Sequence, residues 1–167
     1  WLSSTIGLVR RGVTGRPIAG RARPLIRRLR VESLEDRRLL ANVTVSKLTD
    51  VVDGNTTSIA ALVGSPGADG GISLREAILT ANVDNTDVVD TIGFAPSVRG
   101  MIQLTNTNLA WQLEISSDLT INGPGASLLT IRAFAGMAAV GDGARIFRVD
   151  DGNAGTFKDV AISGLTI

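Results

Sequence analysis

The sequence predicts an all-β fold, a parallel β-solenoid (stacked coils of parallel strand) fronted by one short α-helix. Three observations carry this expectation. Beyond residue 90 the chain consists of short apolar runs broken by Gly, Asn and Asp. The hexapeptide Asp118-Leu119-Thr120-Ile121-Asn122-Gly123 returns as Asp159-Val160-Ala161-Ile162-Ser163-Gly164, and Leu-Thr-Ile occurs at 119–121, 129–131 and 165–167. Self-similarity at periods of about 20–50 residues is the mark of a repeat architecture. Finally, one segment alone carries a strong helix signal. A β-sandwich with chance internal similarity is the competing reading.

The elements follow in order. Val43 and Val45 alternate with Thr44 and Ser46, the period-2 pattern of a half-buried strand. A polar, glycine-rich stretch runs from Asp50 to Gly71. Ser73-Leu74-Arg75-Glu76 then forms a capping box, in which hydroxyl and carboxylate each take a backbone N–H at the helix start. Leu74, Ala77, Ile78 and Ala81 follow at i, i+3, i+4 and i+7 and make one apolar stripe, so a helix is expected over 74–82, with Asn82 as its stop. Arg75 is expected on its exposed side. Strands are expected within 91–95, 101–104, 111–115, 119–121, 128–132, 145–149, 157–161 and 165–167. The apolar stretch Ala133–Val140 reads as a short helix or a loop over the core.

In a stack of parallel coils, Ile121, Ile131 and Ile162 point inward. Gly and Asn occupy corners, where positive φ is needed. The offset from Asp118 to Asp159 suggests two coils of about 20 residues each. The first coil exposes unpaired N–H and C=O groups that invite another chain, so a cap is required. The 74–82 helix is the candidate.

Composition bounds the chemistry. The 167 residues are 44% hydrophobic and 20% charged, near the globular average. Cys, His and Tyr are absent. Disulfides, thiol nucleophiles, histidine bases and Cys/His zinc sites are therefore excluded. No catalytic, cofactor-binding or metal-ligating constellation is expected. The acids Asp84, Asp87 and Asp90, and Asp150, Asp151 and Asp159, read as solvated turn residues, because neither spacing matches a calcium loop. No run is long and apolar enough to span a bilayer, which needs about 20 residues. The chain ends at Ile167 within an apolar run and reads as the front piece of a longer protein.

The net charge of +1 conceals a division at residue 41. Residues 1–40 hold ten Arg against three acids, a net +7, and the remainder is −6. Gly and Pro punctuate this arm, which buries too little to offset its ordering entropy, so residues 1–41 are expected to be a disordered leader. Three readings of the arm stand: a solvated tail, an export address, or a nucleic-acid-binding tail. The last lacks the interleaved aromatics of single-strand binders, and no nucleic acid is expected as a partner. Residues 42–167 are the second unit, the cap and first coils.

Within the arm, Leu34-Glu35-Asp36-Arg37-Arg38-Leu39-Leu40-Ala41 resembles the LEPR-XLL-type N-terminal motif of planctomycete extracellular proteins, with Asp36 where the motif has Pro. The resemblance implies export, with processing near Ala41. Ile72-Ser73-Leu74-Arg75-Glu76-Ala77-Ile78 is similar to the CSLREA motif that opens many bacterial right-handed parallel β-helix (pectin-lyase-like) surface proteins, with Ile72 in place of its Cys. Asp90-Thr91-Ile92-Gly93-Phe94 and the stretch Leu119–Ala126 continue that pattern. Together the resemblances imply an extracellular or cell-surface β-helix, structural, adhesive or carbohydrate-binding, with extracellular polysaccharide or surface components as partners and no cofactor. The alternative is the front of a pectate-lyase-like polysaccharide-degrading enzyme with its site further along the fold. A β-helix fold by itself does not choose between them.

Overall fold

A computed structural model describes residues 42–83, 89–105, 111–134 and 145–167. The basic leader, the motif Leu34–Ala41, the acids Asp84 and Asp87, and most of the stretch Ala133–Val140 lie outside the described residues.

The regular structure of the described residues is mainly strand, in parallel sheets, with two short helices. The chain opens with β1 (Asn42–Val45), α1 (Ile59–Gly64), α2 (Leu74–Val83), β2 (Asp90–Phe94) and β3 (Gly100–Gln103). β4 (Leu113–Ile115), β5 (Leu119–Asn122), β6 (Leu129–Arg132), β7 (Phe147–Val149) and β8 (Val160–Ser163) follow. One sheet has the order β1-β2-β5-β8; the others are the pairs β3-β6 and β4-β7. Every ladder is parallel. From β2 to β8 the chain visits the three sheets in a fixed rotation, completing it twice and beginning a third. Thr166 bridges Thr130 in parallel, so the final Leu-Thr-Ile lies beside the one at 129–131.

Register follows the period-2 pattern. In β1, Val43 and Val45 are buried while Asn42 and Thr44 are exposed. Val43 lies beside Ile92, Ile92 beside Ile121, and Ile121 beside Ile162. Ile102 lies beside Ile131 in the second sheet. Stacking like on like builds one apolar interior that includes Leu104, Leu113, Ile115, Leu119 and Leu129. Ile121 and Ile131 are buried as expected. Ile162 is half-buried against the core, since β8 is the last strand of its sheet.

The repeat is real, but its length differs from the expectation. Asp118–Gly123 and Asp159–Gly164 are direct neighbours: Leu119 pairs with Val160 in a single step of 41 residues, not two of about 20. The preceding return, Thr91 to Thr120, takes 29. The difference lies in the connecting segments, whose lengths the inward pattern does not fix. At one corner Ser163 Oγ donates to Asn122 Oδ1 at 3.2 Å, and Gly123 N–H donates to the Ser163 carbonyl at 2.8 Å. A Cβ on Gly123 would sit 2.1 Å from the Gly164 carbonyl oxygen, and Gly164 has φ +65°. Space demands glycine at the first position and backbone conformation at the second.

The helix expected over 74–82 is α2, with Leu74, Ala77, Ile78 and Ala81 all buried. α1 was not expected. Ser58 Oγ caps it by accepting from Ala61 N–H at 3.1 Å, and its Leu62 is buried. The signal was present as Ser58 followed by Ile59 and Leu62, within a stretch that otherwise reads as loop. α1 packs on α2, so α2 is covered on two sides. Among the described residues, no helix is long and apolar enough to cross a membrane.

Candidate functional site

The buried polar groups of the described residues gather around the start of α2. They are Asp50, Ser73, Arg75, Glu76, Thr80 and, apart from them in β2, Asp90. The capping box forms as the sequence predicts. Ser73 N–H donates to Glu76 Oε2 at 2.8 Å, and Glu76 N–H donates to Ser73 Oγ at 3.2 Å. Each partner also does a second job. Ser73 Oγ donates to the Val51 carbonyl at 2.7 Å. Glu76 Oε1 accepts from Asp53 N–H at 2.9 Å and from Gly54 N–H at 2.8 Å. One carboxylate thus satisfies three backbone donors and pins the 50–54 loop onto the helix.

Arg75 is the main correction. Expected on the exposed side, it is 4% exposed and forms a forked pair with Asp50. Nε reaches Asp50 Oδ1 at 2.7 Å and Nη2 reaches Oδ2 at 3.0 Å. Nη1 donates to the Gln112 carbonyl at 2.9 Å, and Asp50 Oδ2 accepts from Thr105 N–H at 2.7 Å. The apolar stripe forecasts one covered face; the 50–72 segment adds a second, and an ion can stay there only because charge and hydrogen bonds meet it. Asp50 and Arg75 thereby join the loop after β1, the helix, the second residue after β3 and the residue before β4.

Asn82, expected to end the helix, reaches the β4 side instead. Its Nδ2 donates to the Glu114 carbonyl at 2.8 Å and its Oδ1 accepts from Ser116 N–H at 2.9 Å. A cleft of 190 Å³ lies there, lined by Ile78, Leu79, Asn82, Leu113, Glu114 and Ser116 among others.

The remaining acids divide by environment. Asp90, read as a solvated turn residue, is buried at the start of β2. Asp150 and Asp151 lie in a partly exposed turn. The Gly152 N–H, then the Arg148 guanidinium, hold the Asp150 carboxyl below the usual carboxylate range. Asp151 is lowered chiefly by the Thr156 hydroxyl and by Asn153 N–H. Among the described residues, no group of three or more His, Cys, Asp or Glu could hold a metal ion. Trp111 is exposed on one side and stacks on Phe134, with ring centroids 6.3 Å apart and planes within 12°.

The polar constellation around α2 thus ties loop to helix to strand through charge-assisted bonds. No protein-family model, curated protein or solved structure matches the chain.

Proposed function

We propose that the chain is the capped front of a right-handed parallel β-helix belonging to an exported cell-surface protein, with a structural, adhesive or carbohydrate-binding role and no catalytic one. The observation that supports this best is the fixed rotation through three parallel sheets, with like residues stacked in register. Such a stack grows by repetition and offers long, ribbed sides rather than a single enclosed cleft. Two further features agree with it. The buried ions near α2 bond to backbone and to each other, leaving little chemistry to spare for a substrate. The exposed indole of Trp111 offers the flat apolar face that sugar rings pack against.

The reading of export rests on the resemblance of Leu34–Ala41 to a planctomycete surface-protein motif. It is tested by producing the chain in a planctomycete host, intact and with 34–41 deleted, and fractionating the cells. The intact chain is expected at the surface and the deleted one inside. Equal distribution refutes the sorting role. Screening the purified chain, with and without Trp111→Ala, against a panel of extracellular polysaccharides tests the binding role. Cleavage of any of them, rather than retention, overturns the non-catalytic reading.

A further inference from the structure

The acceptor pattern for N-linked sugar, Asn-x-Ser/Thr with any residue but Pro between, occurs twice in the chain: Asn42-Val43-Thr44 and Asn55-Thr56-Thr57. Both asparagines and their threonines at the third position are exposed, yet the fold treats the two sites differently. Asn42 and Thr44 lie in β1, on the ladder to β2, beside Thr91 and Gly93. Residues two apart on a strand stand about 7 Å from each other on one face. The Thr44 hydroxyl is therefore beyond direct reach of the Asn42 carboxamide, and bringing them together means breaking the ladder.

Asn55, Thr56 and Thr57 instead make a surface turn just ahead of α1, outside every strand. Thr57 Oγ1 donates to Asn55 Oδ1 at 2.7 Å, and Thr57 N–H donates to the same oxygen at 3.2 Å. The carboxamide thus bonds its own backbone two residues on, the local closure that asparagine favours in turns. The turn is anchored at both ends. Gly54 N–H is held by Glu76 Oε1, Asn55 N–H donates to the Ser65 carbonyl at 2.9 Å, and Ser58 caps α1. Both donors fall on Oδ1, so Nδ2 is left with no protein partner among the described residues. An amide nitrogen is a weak nucleophile because its lone pair is shared with the carbonyl. Hydrogen bonds to Oδ1 favour the form in which that oxygen carries more charge, which eases loss of an Nδ2 proton.

We infer that Asn55 is an acceptor for an N-linked oligosaccharide delivered from a lipid diphosphate carrier, and that Asn42 is not one in the folded chain. In the transfer a bond forms between Nδ2 and the anomeric carbon of the sugar. The bond from that carbon to the diphosphate oxygen breaks, the diphosphate leaves on its lipid, and one Nδ2 proton passes to solvent. The inference rests on the reading of the chain as exported, since an exported chain meets such carriers as it crosses the membrane.

The test has two arms. In the first, the folded full chain is incubated with a lipid-linked oligosaccharide and a single-subunit oligosaccharyltransferase that requires only Asn-x-Thr, and its peptides are mapped by mass spectrometry. A synthetic peptide of residues 40–60 supplies the unfolded reference. The peptide is expected to gain glycan at both sites, the folded chain at Asn55 alone, and Asn55→Gln at neither. A folded chain left bare at Asn55 overturns the inference, as does equal modification of Asn42. In the second arm the chain is recovered from the surface fraction of a planctomycete host and mapped in the same way. Glycan on Asn55 supports the inference. An exported chain with Asn55 bare overturns it and leaves export standing. A chain retained inside that still accepts glycan in the purified reaction refutes export and leaves the acceptor site supported.

Discussion

Removing Asp50 should unfold the front of the molecule far more readily than removing an ordinary surface acid. In Asp50→Ala the Arg75 guanidinium, 4% exposed, keeps the Gln112 carbonyl but loses the forked carboxylate, and Thr105 N–H loses its acceptor. Breaking a buried pair from one side costs about 3–5 kcal/mol, because the remaining charge stays out of water. Arg75→Met should cost a similar ~3–5 kcal/mol, now for the stranded carboxylate. The double variant removes both ions, so its loss should fall short of the sum by about 2–3 kcal/mol, the coupling expected of side chains in direct contact. Urea unfolding of the four chains, followed by circular dichroism, reads these values from midpoints at constant slope. A domain of this size has only about 5–15 kcal/mol in total, so each single variant should show a plainly lower midpoint. Single losses below about 1 kcal/mol, the range of exposed ion pairs, would refute the reasoning. So would losses that simply add.

Three further outcomes follow from the same geometry. Glu76→Ala leaves the N–H groups of Ser73, Asp53 and Gly54 without their carboxylate and should cost about 3 kcal/mol or more, beyond the ~1 kcal/mol of a simple cap, by the same unfolding assay. Gly123→Ala and Gly164→Ala should each lower the thermal midpoint, while Gly93→Ala, whose Cβ would meet nothing within 4 Å, should leave it almost unchanged. Asp150 and Asp151 both have lowered pKa values in the folded chain, so whatever stability they add is complete above the ordinary carboxylate value near pH 4 and is lost as pH falls through their lower folded values. Acid titration of Asp150→Asn/Asp151→Asn should therefore differ from the parent above that range and converge with it below.

Strand positions were legible because alternation at Val43 and Val45, or at Leu129 and Ile131, reports a local fact: one side of a strand meets the interior. The capping box was legible for the same reason, since Ser73 and Glu76 act across a single turn. Arg75 was not. Its burial depends on Asp50, Thr105 and Gln112, which lie 25 to 37 residues away along the chain. No periodicity within α2 encodes what the 50–72 segment lays over it. The length of each return escaped for a related reason: the stacking of Ile92 on Ile121 on Ile162 constrains the strands and leaves the lengths between them open. Asn82 has the residue type of a helix terminator, and its partner on β4 is visible only once helix and sheet are placed together.

The unequal returns have a consequence for how such a chain can change. From Thr91 to Thr120 is 29 residues and from Leu119 to Val160 is 41, yet the apolar faces meet in the same phase. Added residues are therefore taken up outside the ladders, at a closure cost that rises only slowly with length. Novel surface can accumulate on the flanks by insertion while the interior keeps its spacing. Diversification and stability are thereby assigned to separate stretches of the polypeptide.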